Sequence, residues 1–172
     1  MKPVIYFVLL TSLVLTMGSS CKKGDTGPAG TANVFFSEWF TPTPYIKDTV
    51  FGVWGFKYNK PVPAITQKIL DSGSVLVYGK LLGYNPAVWP TNQVSQLPIS
   101  ITYMQGGHQV DIWEALVTPG NIRIRFTNDH NIYTSIATQH QFRYVIIPGG
   151  MPTAHLANMK YSDVASLYNL PE

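Results

Sequence analysis

The sequence predicts an all-β fold: an antiparallel β-sandwich of Greek-key or jelly-roll-like type, with one or two short helices. Three observations predict it. Short segments rich in β-branched and aromatic residues recur along the chain, several alternating apolar with polar side chains. Turn signals built from Gly, Pro, Asn and Asp separate them at intervals of about ten residues. Glycine (14) and proline (13) are plentiful, as many strands joined by turns require. A closed barrel is the alternative architecture, and no repeat of roughly 34 or 40 residues is evident.

Asn33–Phe40 (NVFFSEWF) reads as a first strand, broken by Thr41-Pro42-Thr43-Pro44. Val50–Tyr58 (VFGVWGFKY) reads as a second, in which Gly52 and Gly55 mark a bulge or a close approach of backbone; Pro61 and Pro63 end it. In Ala64–Leu70, Ile65, Ile69 and Leu70 fall at helical spacing, predicting one or two turns stopped by Gly73. Ser74–Leu82 (SVLVYGKLL) is apolar on both faces, as a central strand covered on both sides must be. Asn85–Gln93 is a loop that carries Trp89 between Pro86 and Pro90. Pro98–Met104 alternates, Gly106-Gly107 turns the chain, and His108–Val117 returns. After Pro119-Gly120, Asn121–Thr127 sets Ile122, Ile124 and Phe126 against Arg123 and Arg125, predicting one buried and one wet face. Asn128–Asn131 turns the chain, and Phe142–Ile147 (FRYVII) is a further strand. Tyr161–Tyr168 reads as a short C-terminal helix capped by Ser162, with Val164 and Leu167 inward and Asn169 and Pro171 as its stop. The tally is roughly seven or eight strands.

Bulk properties narrow the function classes. A chain of 172 residues argues for one folded domain. With 45% hydrophobic and 12% charged residues it is too apolar for disorder. A net charge of +3 gives no reason to expect nucleic acid or an acidic substrate. A domain of this size buries roughly 68–70% of its unfolded surface. No disulfide or structural metal is therefore needed for a core, and no cofactor is expected.

The amino-terminal region carries a separate signal. Lys2 precedes Val4–Leu15, an apolar run with the length of a signal-peptide core. It is shorter than the roughly 20 residues a spanning helix needs. Gly18, Ser19 and Ser20 lead to Cys21, the only cysteine. A small-residue stretch ending in Cys looks like a lipobox, the point at which bacterial lipoproteins are cleaved and acylated, with Gly18 where Leu is usual. Ordinary signal-peptide cleavage, leaving a free thiol at Cys21, is the alternative. The following KKGDTGPAGTAN contains two Gly-X-Y triplets, too few for a triple helix, and reads as a tether spanning roughly 17–21 Å. The expected division is a signal peptide over 1–20, lipidated Cys21 and a Gly-rich tether over 21–32, and one β-sandwich domain over 33–172. The expected location is the cell envelope, at the outer membrane or cell surface, with the membrane engaged through the lipid anchor.

The runs PAITQKILDSGSVLVYGKL, RIRFTN, TSIATQHQFRYVIIPGG and YSDVASLYNLP resemble a group of Bacteroidota lipoproteins. In that group a Cys is followed by a short collagen-like tether and then a β-rich domain. The resemblance spans Cys21 to Pro171. It implies export and this architecture, and it implies no activity and no functional residue.

Candidate sites are few. The chain has no GxGxxG, GxxxxGK[ST], HExxH, GxSxG or CxxC motif. His108, His130, His140 and His155 are scattered. His130 and His140 would meet across a hairpin, with Asp129 adding a carboxylate, but Asn128-Asp129-His130-Asn131 is ordinary turn chemistry. Zinc ligands usually group at short spacings and calcium loops follow the EF-hand pattern, so no metal site is assigned. Glycoside hydrolysis needs two facing carboxylates. Asp111 and Glu114 lie at odd separation on one strand, point to opposite faces and read as solvated. No catalytic residue is assigned. Among the aromatics, Trp39, Trp54 and Trp113 sit in strands and read as core. Trp89, in its proline-bounded loop, is the candidate for stacking on a ligand.

These readings predict a non-enzymatic surface binding or adhesion module for glycan or protein. One alternative is an accessory subunit of an envelope complex, held through a sheet edge or an apolar patch. Another is a hydrolase assembled from distant positions such as Asp129, His130 and His140.

Overall fold

A computed structural model describes residues 34–150 and 156–171. The signal, Cys21 and tether expectations lie outside the described residues. Among these residues nine strands form two antiparallel sheets: β1 (Phe35–Phe36), β2 (Ile46–Val50), β3 (Val53–Pro61), β4 (Ser74–Lys80), β5 (Ser95–Gln96), β6 (Ile99–Met104), β7 (His108–Thr118), β8 (Asn121–Asn128) and β9 (Gln141–Ile147). One sheet has the order β1-β9-β4-β5 and the other β2-β3-β8-β7-β6. Strands β6, β7 and β8 follow one another as hairpins, and β3 returns beside β8 across a long connection. That arrangement is a Greek key. The sandwich expectation therefore holds.

Alternation builds the shared core. On β8, Ile122, Ile124 and Phe126 are buried while Arg123 and Arg125 line the outer face. Facing rows from β6 (Ile99, Ile101) and β7 (Trp113) meet Val77 of β4 and Phe142 and Ile146 of β9. Strand β4 is buried on both faces, as its unbroken apolar run requires: Val77 faces the other sheet, while Leu76 and Tyr78 face outward. The layer that covers them is helix α2 (Tyr161–Tyr168), which seats Val164 and Ala165 against Leu76, Tyr78, Val145 and Ile147.

Several local expectations are corrected. The segment Val50–Tyr58 is not one strand, because Phe51 and Gly52 both take positive φ (47° and 81°) and reverse the chain between β2 and β3. Gly55 does mark a close approach: a Cβ there would lie 2.8 Å from the Asp48 carbonyl oxygen and 3.0 Å from Arg125. The first strand shrinks to two paired residues and a single bridge at Phe40–Phe142, because the Ser37 side chain takes the Tyr144 amide. Strand β5 was too short to carry a signal. The short helix α1 (Gln67–Ser72) starts later than its apolar spacing implied, at Thr66, whose hydroxyl accepts from the Ile69 amide at 3.3 Å. At α2, Ser162 turns to Asp163 instead of capping, and Leu167 is exposed; Asn169, at φ 52°, ends the helix as expected.

The strand ends define two ends of the sandwich. Near one, Gly120 bonds Val62 and Ile65, helix α1 leads into β4, and Val34 enters beside the end of β9. At the other, β4 stops, β8 leads through residues 129–140 into β9, and the β2–β3 turn bonds that connection.

Candidate functional site

Two features occupy the end where β4 and β8 stop. The first is a polar cluster inside the core. The inward row of β7 changes from Trp113 to Asp111 and Gln109, and β8 changes from Phe126 to Asn128 in register with it. Asp111 is wholly buried. Its carboxylate accepts from the Tyr84 hydroxyl at 2.8 Å, the Tyr133 hydroxyl at 3.0 Å and the Asn128 amide at 2.7 Å. Tyr84 in turn accepts from the Trp113 indole at 3.0 Å, and Tyr133 shares a 2.6 Å hydrogen bond with Tyr103. Burial first, and then the adjacent Asp111 charge, hold the Tyr84 hydroxyl far above its ordinary range, so it stays a neutral donor. Tyr133 is raised in the same direction, by burial and then by its bond to Tyr103. The sequence reading of Asp111 as solvated is therefore wrong. Its odd spacing from exposed Glu114 did place the two on opposite faces, and the inner face is the one Asp111 occupies.

His140 closes this end. Its Nδ1 accepts from the Gly83 amide at 3.4 Å, and its ring meets Trp113 edge-on with centroids 4.6 Å apart. A Cβ on Gly83 would stand 2.6 Å from the His140 ring, so only glycine lets the loop lie on the imidazole. Burial lowers the His140 pKa to about 4, which keeps the ring neutral at pH 7. A cavity of about 80 Å³ remains between His140, Tyr84, Trp113, Phe126, Tyr133 and Ile136. It has room for water but is far below the roughly 300 Å³ at which organic ligand sites begin. The cluster's chemistry is that of a clamp: it binds the connections before β5 and before β9 to the sheet through one carboxylate.

The second feature is a groove of about 640 Å³ between the end of β4, the 91–94 segment and α2. Lys80, Thr91, Asn92, Gln141, Tyr161 and Ser162 line it. A depression of about 510 Å³ shares Asn92, Val94, Tyr161 and Ser162 with it and continues along β5, past Ser95 and Gln96. The buried Gln96 Oε1 has no hydrogen-bond partner among the described residues. Helix α2 forms the far wall, and Arg143 fixes it in place. This fully buried guanidinium bonds the Tyr161 hydroxyl and the Pro171 carbonyl, and lies 4.9 Å from the centre of the Trp39 ring. Lys80, at the groove's edge, has its Nζ 4.2 Å from the same ring.

The residues singled out by sequence are dispersed. Trp89 is only 7% exposed, which corrects its reading as an open stacking surface. Its loop folds back, with the Val88 and Trp89 amides bonded to the Asn85 carbonyl, and this turns the indole into the inter-sheet core. Trp113 is core, whereas Trp39 and Trp54 are half-buried and carry cations over their rings. Asp129 and His130 pair with each other at 2.8 Å on the surface, while His140 is buried against Trp113. Among the described residues no three His, Cys, Asp or Glu side chains lie close enough to hold a metal ion. Cys21 and His155 lie outside the described residues. The groove had no sequence signal, because its wall is set by where α2 docks. The polar cluster had a partial one: Tyr103, Gln109, Asp111 and Asn128 occupy inward positions of strands whose alternation was legible.

Comparison with family models, with curated proteins and with solved structures finds no match to this chain.

Proposed function

We propose that the protein is a cell-envelope lipoprotein, anchored through Cys21, whose domain is a non-enzymatic binding module for a neutral glycan segment. The observation that carries the ligand class is the lining of the groove. Side-chain amides and hydroxyls of Asn92, Gln141, Thr91 and Ser162 line it together with apolar Leu82 and Val94, with Lys80 as the one charge among these. Neutral donors and acceptors beside apolar side chains suit sugar hydroxyls and the apolar face of a pyranose. The size fits a ligand site, which usually falls between about 300 and 1,000 Å³. The anchor reading rests on the apolar leader and its small-residue exit to Cys21.

A second reading has its own support. Among the described residues strand β5 pairs only with β4, which leaves its other edge for an added strand from a protein partner. A printed array of neutral and charged glycans, probed with the purified protein, tests the first reading. Retention on neutral glycans supports it. An array on which no glycan is retained overturns it in favour of a protein partner.

A further inference from the structure

We propose that the tip of the β2–β3 hairpin is a membrane-inserting wedge, with Phe51 at its apex. The turn itself breaks the rule for its type. Two-residue loops with positive φ at both positions are normally Asn-Gly or Asp-Gly, because a bulky L side chain is strained there. This turn has Phe51 at φ 47° and Gly52 at φ 81°. The phenyl ring gains no packing in exchange, since it is completely exposed. Backbone strain that brings no contact within the fold points to a contact outside it. The neighbours share its character: Val50 and Val53, paired across the turn, are exposed, and so is Ile132 on the adjoining connection.

Two backbone polar groups at the tip are met by one side chain. In hydrocarbon every backbone donor and acceptor must be satisfied within the protein. Asn131 does this from beside the turn: its Oδ1 accepts from the Trp54 amide at 2.7 Å, and its Nδ2 donates to the Gly52 carbonyl at 2.9 Å. Just behind the apex, Lys47 holds its Nζ 3.8 Å from the centre of the half-buried Trp54 ring. An indole with a cation beside it is the usual occupant of the interface between headgroups and water. Two residues on either side of the apex reach about 7 Å, inside the 5–10 Å by which apolar faces sink into a bilayer.

Charge favours a lipid surface. Asp48 is engaged by Lys57 and Arg125, which leaves Lys47 as the cation beside the tip without an ion-pair partner among the described residues. A lone cation behind an apolar apex complements anionic headgroups. A projecting wedge, apolar on several sides, also suits a fluid that closes around it. The proposal stands apart from the glycan groove and does not require acylation.

The test uses the full chain with Cys21→Ser and Phe51→Cys, labelled at its single thiol with a nitrobenzoxadiazole fluorophore. A second chain carries the label at Leu167→Cys, an exposed position on α2. Both are mixed with vesicles of phosphatidylethanolamine and phosphatidylglycerol, with and without lipids bearing a nitroxide on the acyl chain. Insertion predicts a blue shift and a several-fold rise in emission at position 51, quenched by the acyl nitroxide, with little change at 167. Adding Val50→Ser and Val53→Ser should cut that rise by at least half. A label at 51 that stays in water, or equal changes at 51 and 167, overturns the proposal. So does a shift that depends on protein concentration without vesicles, which assigns the tip to a second copy of the chain.

Discussion

The Tyr84 hydroxyl donates to the buried Asp111 carboxylate at 2.8 Å, joining the connection after β4 to the inner face of β7. Tyr133 brings the connection before β9 to the same oxygen, at 3.0 Å. One side chain thus holds both of the longer connections at this end of the sandwich. Asp111→Ala would leave two buried hydroxyls and the Asn128 amide without their acceptor, and should cost about 3–5 kcal/mol. Tyr84→Phe keeps the ring, removes one donor and should cost about 1–2 kcal/mol. Urea unfolding measures both. A loss below about 1 kcal/mol for Asp111→Ala would mean that the carboxylate does not serve as the clamp.

His140 makes stability depend on pH. Its folded pKa of about 4 lies below the ordinary 6.5, so the unfolded chain takes up the proton first as pH falls. Stability from this group is therefore complete above about pH 6.5 and is lost as pH drops toward 4, by roughly 2–4 kcal/mol in all. Unfolding midpoints for the wild type and His140→Gln, measured at intervals between pH 7 and 5, should show a decline in the wild type that is much smaller in the variant. Parallel declines would contradict the assignment.

The two faces of β8 should respond differently to substitution. Ile124→Asp puts an unpaired charge among fully buried side chains and should abolish folding. Arg123 lies on the outer face and, among the described residues, its side chain bonds only the Asn59 side chain at 3.1 Å, so Arg123→Ser should cost less than about 0.5 kcal/mol. Arg125 spans Asp48 at 3.2 Å and Glu114 at 3.9 Å, and Arg125→Ser should cost somewhat more, about 0.5–1 kcal/mol. Circular dichroism melts would separate the three, and equal damage from Ile124→Asp and Arg123→Ser would contradict the register.

Alternation explains how much of this was legible. Ile122, Ile124 and Phe126 announce their buried face because side chains on a strand repeat every two residues, and Ser74–Lys80 announces a strand covered twice because it lacks any polar row. Phe51-Gly52 hid a turn because a phenylalanine there contradicts turn chemistry, so β2 and β3 merged into one apparent strand. Asp111 reads as solvated because charge suggests water, and His140 reads as a neighbour of His130 across a hairpin, whereas their partners, Tyr84 and Tyr133 for one and Gly83 for the other, come from distant connections. Trp89 misled in the same way: two flanking prolines indicate a loop, but not the direction in which the indole points.

Acylation of Cys21 is expected from the apolar leader and its Gly-Ser-Ser exit. Intact-mass analysis of the protein extracted from membranes should give an amino-terminal Cys21 bearing acyl chains. A soluble product with an unmodified thiol would leave ordinary export in its place.

The groove beside Tyr161 is the central claim, and calorimetric titration tests it most directly. The titrant is the neutral oligosaccharide retained most strongly on the array. The proteins are the wild type, Asn92→Ala combined with Ser162→Ala, and Arg123→Ser as a control on the far sheet. Asn92 and Ser162 are exposed groove residues, so their replacement should leave the fold intact. Each lost hydrogen bond is worth about 0.5–1.5 kcal/mol, so the double variant should bind roughly tenfold more weakly while Arg123→Ser binds as the wild type does. Unchanged affinity in the double variant, or equal weakening in the control, would contradict the assignment of the groove.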